Sequence, residues 1–150
     1  ISVSQKQIDR WEAQYPTLTD IWSLSPLQSG LLFHSGLTAG LVDIYTAQVV
    51  LDLGGDVDPD RMRAAGQALI DRHPSLRAAF VYDDDGSPAQ IIVGRAELPF
   101  RVIDLSAHDD ADAEAARLVA ADQVAEFDVS APPLVRMTLR INVGVFASAG

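Results

Sequence analysis

The sequence predicts a mixed fold of helices and strands, α+β or open α/β. Three observations carry that expectation. Two prolines, Pro26 and Pro59, each follow a capping residue, Ser25 and Asp58, and so mark helix starts. Ile44 to Leu53 alternates in the manner of a strand. Asp83-Asp84-Asp85-Gly86 separates two apolar runs in the manner of a hairpin.

Taken in order, Gln5 to Gln14 has Ile8 and Trp11 on one side of a helix, which should end near Tyr15 because Pro16 disfavours helical geometry in the residue before it. Thr17 to Asp20 reads as a short linker, making residues 1–20 a lead-in segment. Ser25-Pro26-Leu27-Gln28 opens the next helix: Ser25 caps, and Gln28 stands where a capping box wants Glu or Gln. Leu27, Leu31 and His34 share a face, and Gly36 or Gly40 closes the helix. In the Ile44–Leu53 strand, Tyr45, Ala47, Val49, Leu51 and Leu53 should face a core. After the Gly54-Gly55 turn, Asp58-Pro59 starts a helix to about Arg72, with Met62, Ala65, Leu69 and His73 at the helical period. Leu76 to Tyr82 and Ala89 to Val93 are the hairpin strands, and Phe100 to Ile103 is a short fourth. Ser106 caps an Ala-rich helix to about Glu126. Pro132-Pro133 breaks the chain before a fifth strand, Leu134 to Ile141. The expected core is Leu27, Leu31, Leu51, Leu69, Leu76, Phe80 and Leu118.

The chain has 150 residues, enough for one domain or one lobe of a larger one. With 11 Lys+Arg against 21 Asp+Glu, its net charge is −10, which disfavours binding to phosphate backbones. Apolar residues at 48% supply a core and argue against disorder. There is no cysteine, so thiolate chemistry and disulfides are excluded and a cytoplasmic location fits. No signal peptide and no apolar run of membrane-spanning length is visible. The missing initiator Met suggests a piece of a longer polypeptide.

Local chemistry is sparse. The histidines, His34, His73 and His108, have no metal-binding spacing. His34 and Ser35 point about 100° apart on a helix and cannot work as a base–nucleophile pair, so His34 is structural or lines a cleft. The Asp83 triple lacks a calcium-loop pattern and reads as a solvated turn. Arg72-His73-Pro74-Ser75-Leu76-Arg77 is more informative. Arg72 suits a helix C-terminus, and Arg77 begins a partly buried strand where it calls for a carboxylate partner.

Three stretches carry a resemblance. Leu24-Ser-Pro-Leu-Gln-Ser-Gly-Leu-Leu-Phe-His-Ser35 resembles the first core motif of condensation domains in nonribosomal peptide synthetases. Arg72-His-Pro-Ser-Leu-Arg-Ala-Ala-Phe80 resembles the second, RHxxLRxxF. Phe127-Asp-Val-Ser-Ala-Pro-Pro-Leu-Val-Arg136 is similar to the FDxxxxPLxR stretch before the third. Order and separation also fit, over nearly the whole chain.

The resemblance implies a lobe like chloramphenicol acetyltransferase, with a mixed, largely antiparallel sheet and packed helices. It is one of two lobes around a tunnel. Residues 21–150 would be the N-terminal lobe, ending before the HHxxxDG signature, which occurs nowhere in the chain. The implied activity is peptide-bond formation between acyl groups carried on the phosphopantetheine of carrier proteins, with no cofactor bound directly. The implied partners are those carriers and the C-terminal lobe, with neither nucleic acid nor membrane involved. The fragment alone should be inactive. Ser25 and Gln28 resemble cleft-supporting positions, and Arg72 resembles the arginine that pairs with the signature aspartate. His73 and Arg77 belong to the same hub, while Asp128 and Arg136 position the strand that delivers the catalytic loop. Tyr15-Pro16 and Asp43-Ile-Tyr-Thr46 resemble internal peptide-condensing domains, of the kind that takes a D-configured donor. The alternatives are an epimerization or other carrier-dependent acyltransferase domain, or a non-catalytic module that docks a carrier protein.

Overall fold

The computed structural model describes residues 3–37 and 46–141, with the side chains of 33–37 left out. Asp43 to Tyr45, Asn142 to Gly150 and the His34 side chain therefore lie outside the described residues.

Helix α1 (Gln5–Gln14) is capped by Ser4, whose hydroxyl accepts from Gln7 N at 3.3 Å, and it ends at Tyr15. Strand β1 (Leu18–Trp22) follows directly, so the expected linker at Thr17–Asp20 is corrected to part of a sheet. Leu18 pairs with Val93, and the Thr17 carbonyl accepts from Gly94 N at 2.5 Å. Strands β2 (Ala78–Tyr82) and β3 (Pro88–Val93) form the hairpin, and the sheet order is β1-β3-β2, antiparallel throughout. In the turn, the Asp83 carboxylate accepts from Asp85 N and Ser87 N, and Gly86 takes a positive φ of 77°. Trp11 and Tyr15 of the α1 region pack with Ala79, Val81, Ala89, Ile91 and Val93 in one buried cluster.

Helix α2 (Pro26–Leu37) starts with a reciprocal capping box. Gln28 N donates to Ser25 Oγ at 3.2 Å, and Ser25 N donates to Gln28 Oε1 at 2.8 Å. Helix α3 (Pro59–Arg72) starts on Asp58, whose carboxylate accepts from Asp60 N and Arg61 N. Its inward face is Gly66 and Ile70, one residue along from the expected Ala65 and Leu69. A Cβ at Gly66 would lie 2.5 Å from Leu98 Cδ2 and 3.1 Å from Met137 Sδ, so the missing side chain is what admits this close approach. Gln67 clasps the next loop, accepting from Leu98 N and donating to the Ala96 carbonyl. A 3₁₀ turn, Pro74–Arg77, leads from α3 into β2, so Arg77 ends a turn and does not begin a strand.

Strands β4 (Phe100–Asp104) and β5 (Met137–Ile141) pair in parallel, Phe100 opposite Met137 and Asp104 opposite Ile141. Between them lies α4 (Ala111–Gln123). Its cap is Asp110, not Ser106: the Ser106 hydroxyl is taken by Asp104 at 2.6 Å, while Asp110 Oδ1 accepts from Ala113 N.

Two further expectations fail. Residues 46–53 form no strand, and none of the strands among the described residues pairs with them. Val49, Leu51 and Leu53 are exposed, while Gln48 from the opposite set is half-buried and donates to the Val119 carbonyl and to Asp122. Among the expected core residues, Leu27, Leu51 and Leu69 are exposed, at 71%, 73% and 48%. Leu31, Leu76, Phe80 and Leu118 are half-buried. No helix among the described residues is long and apolar enough to cross a membrane.

Candidate functional site

The three motif stretches, far apart in sequence, meet around one recess of about 140 Å³. Gln28 comes from the first. Ser75, Leu76, Ala78 and Phe80 come from the second, and Leu134 and Val135 from the third. Gln90 of β3 completes the wall, paired across the sheet with Phe80. Gln28 Nε2 donates to Gln90 Oε1 at 3.2 Å, which ties the start of α2 to the sheet.

The motif arginines hold the elements that form this wall. Arg77, 9% exposed, donates from Nη1 to the Ile70 and Asp71 carbonyls at 2.6 Å each, and from Nε to the Val93 carbonyl at 2.9 Å. It thus satisfies orphan carbonyls at the end of α3 and fixes that end to β3. The expected carboxylate partner is replaced by main-chain oxygens, whose dipoles at a helix C-terminus favour a cation. Arg136 treats α4 in the same way. Its Nη2 donates to the Asp122 and Ala125 carbonyls, its Nε pairs with Asp122 Oδ1 at 2.7 Å, and its guanidinium lies 4.2 Å over the Phe127 ring.

Asp128 shapes the bend between α4 and β5. Its carboxylate accepts from Ser130 N and from Ser130 Oγ at 2.9 and 2.6 Å. The bond from the Ser130 side chain is the main reason its pKa lies below the usual carboxylate value. Two more bonds fix this bend: Phe80 N donates to the Val129 carbonyl, and the Tyr15 hydroxyl donates to the Ser130 carbonyl at 2.7 Å. Burial, more than the neighbouring Asp128, holds the Tyr15 pKa above its ordinary value and keeps it a donor.

Other expected site residues stand apart from the recess. Arg72 is exposed and makes no hydrogen bond or ion pair among the described residues. The neighbouring Asp71 carboxylate accepts from Gln67. His73 is exposed, and its N–H caps α3 by donating to the Leu69 carbonyl. Gln90 and Tyr15 were not singled out from the sequence as site residues. A signal existed for Gln90: it is the one polar residue inside the run Ala89-Gln90-Ile91-Ile92-Val93, and it is buried. No group of three or more His, Asp or Glu able to hold a metal occurs among the described residues.

Comparison with known proteins gives a consistent picture. A family model described as Condensation domain matches residues 19–141. Malpinin synthetase of Mortierella alpina is 32% identical over 143 residues, covering 93% of this chain and 2% of that protein. Bacitracin synthase 1 of Bacillus licheniformis is 30% identical over 145 residues, covering 93% of this chain and 3% of that protein. The chain therefore spans only a few hundredths of the relatives it matches. Among solved structures, the starter condensation domain of rhizomide synthetase in complex with C8-CoA superposes with a TM-score of 0.68 at 22% identity, covering 91% of this chain and 29% of that one. The first condensation domain of the calcium-dependent antibiotic synthetase gives 0.66 at 20%, covering 81% and 30%. At these identities the likeness concerns the fold.

Proposed function

Because the chain belongs to the condensation-domain family of nonribosomal peptide synthetases, we propose that it is most of the N-terminal lobe of a domain that joins two carrier-bound acyl groups. The reaction is attack by the amine of an acceptor aminoacyl thioester on the carbonyl of a donor thioester. A C–N bond forms, the C–S bond breaks, and the carrier's phosphopantetheine leaves as the thiol. The partners are carrier proteins and the C-terminal lobe, and the location is cytoplasmic, in keeping with the absence of cysteine.

One observation supports this reading above others: the three motif stretches line a single recess. Within it, Ser25 and Gln28 support the wall through the α2 cap, and Arg77 and Arg136 hold the two helix ends behind it. Asp128 fixes the bend that enters β5, the strand from which the family's catalytic loop continues. HHxxxDG does not occur in the sequence, and the residues that line the recess include no acid or base.

The test is a condensation assay with loaded donor and acceptor carriers. The complete parent domain should yield the amide product, and the 150-residue chain should yield none. Product from the chain alone, or none from the complete domain, overturns the reading.

A further inference from the structure

The helix cap of α2 also fixes the polarity of the recess. Ser25 N donates to Gln28 Oε1, so that oxygen is the end of the Gln28 amide facing the cap. The other end, Nε2, must then point onward as a donor, and it meets Gln90 Oε1. This in turn fixes the Gln90 amide with its oxygen toward Gln28. Its Nε2 carries two N–H groups and meets no acceptor among the described residues. Gln90 is 95% buried, being 5% exposed, yet no fully enclosed side-chain polar atom lacks a partner among the described residues. Gln90 lines the recess, and its Nε2 is without an acceptor among the described residues. Around it the wall is largely apolar, with Leu76, Phe80, Leu134 and Val135. A lone donor in apolar surroundings gains most from a ligand that brings an acceptor.

We propose that the Gln90 side-chain amide is a binding group for a carbonyl oxygen of the ligand in this recess, with Gln28 as the positioning residue that holds it donor-outward. The inference rests on the reading of the chain as part of a condensation domain only for the kind of carbonyl offered: the thioester of an acyl–pantetheine arm or an amide along that arm.

The experiment is a titration of the ¹⁵N-labelled chain. Three probes are used: S-acetyl-N-acetylcysteamine, with thioester and amide; S-ethyl-N-acetylcysteamine, with amide alone; and 2-(ethylthio)ethanol, with no carbonyl. The Gln90 side-chain amide signals should shift with a carbonyl probe and stay still with 2-(ethylthio)ethanol. Shifts with both carbonyl probes identify the amide as the group held, and shifts with the first alone identify the thioester. Gln90→Met keeps the length of the side chain and loses the amide donor. It should weaken carbonyl-probe binding about five- to tenfold, as expected for the loss of one part-buried hydrogen bond. Gln28→Glu keeps the acceptor for Ser25 N but frees Gln90 to turn, and should weaken binding in the same direction with the fold intact. Binding that leaves the Gln90 signals unmoved, equal binding of all three probes, or no binding at millimolar concentration overturns the proposal. The condensation assay judges the domain reading separately, so the two can fail independently.

Discussion

Replacing Arg77 tests whether this motif arginine serves the lobe or the reaction. In Arg77→Ala, the Ile70, Asp71 and Val93 carbonyls lose a charged donor at 2.6, 2.6 and 2.9 Å. Each buried acceptor left unpaired costs about 1–3 kcal/mol. Asp71 lies on the exposed side of α3, where water replaces the lost donor, so two of the three carbonyls carry most of the penalty. Some of it is offset because the unfolded-to-folded transfer no longer dehydrates a guanidinium. The net expectation is a loss of about 3 kcal/mol. Arg77→Lys supplies one compact ammonium, which can reach the pair at the end of α3 but not Val93 as well, and should lose about 1–2 kcal/mol. Urea unfolding followed through Trp11, 2% exposed, reads the effect. With a slope of about 2 kcal/mol per molar urea, the Ala variant should unfold about 1.5 M earlier. If Arg77→Ala unfolds at the wild-type midpoint, the clamp between α3 and β3 is not what those short distances imply.

Other expectations follow from neighbouring contacts. Gly66→Ala gains about 1 kcal/mol of helix propensity but forces its new Cβ against Leu98 and Met137, an overpacking of about 1–3 kcal/mol. Thermal unfolding should therefore show a net loss, and a gain would mean that α3 can move away from β5. Ser25→Ala removes one half of the capping box and should cost about 1 kcal/mol in the same measurement. The raised Tyr15 pKa means that its stability contribution is complete below pH 10 and lost as pH rises through the folded value. Tyr15→Phe should flatten the alkaline limb of the stability profile. For Asp128 the sign reverses: its lowered pKa makes the contribution complete above the ordinary carboxylate value and lost as pH falls through the folded one. Asp128→Asn should remove that acid-side dependence, as read from unfolding midpoints between pH 2 and 5.

Helix existence was legible in the sequence, and helix orientation was not, for one physical reason. Ser25-Pro26 and Asp58-Pro59 announce α2 and α3 through caps that are local and chemical. The inward faces, however, are chosen by tertiary fit. Leu32 at 8% exposed, with Gln28 half-buried a turn earlier, displaces the expected Leu27–Leu31 stripe. Gly66 and Ile70 likewise displace Ala65 and Leu69. In both helices the inward stripe begins with a residue that hydropathy discounts: a glutamine with a partner across the sheet, and a glycine that permits close approach. The strand expected at Ile44–Leu53 fails over residues 46–53 for a related reason, since alternation describes a face and says nothing of which strand lies beside it. The site was legible as motifs, but Gln90 entered only when the sheet brought it opposite Phe80.

Arg72 and Arg77 stand five residues apart in one motif, and the structure separates them. Arg77 spends its donors on the lobe's own carbonyls. Arg72 is exposed and uses none among the described residues, so its cost of removal here should be within about 0.5 kcal/mol. The macrodipole of α3 accounts for a weak preference for a cation at that place, and for little more. Under the proposed function, Arg72 acquires a carboxylate partner from the signature loop once the domain is complete. Truncating one member of such a buried pair leaves the other charged and unpaired, at about 3–5 kcal/mol. Arg72→Ala should then leave the 150-residue chain's unfolding midpoint in place while lowering both the stability and the condensation rate of the complete domain. Equal destabilisation of both proteins would show that Arg72 serves this lobe itself, and the aspartate pairing would have to be abandoned.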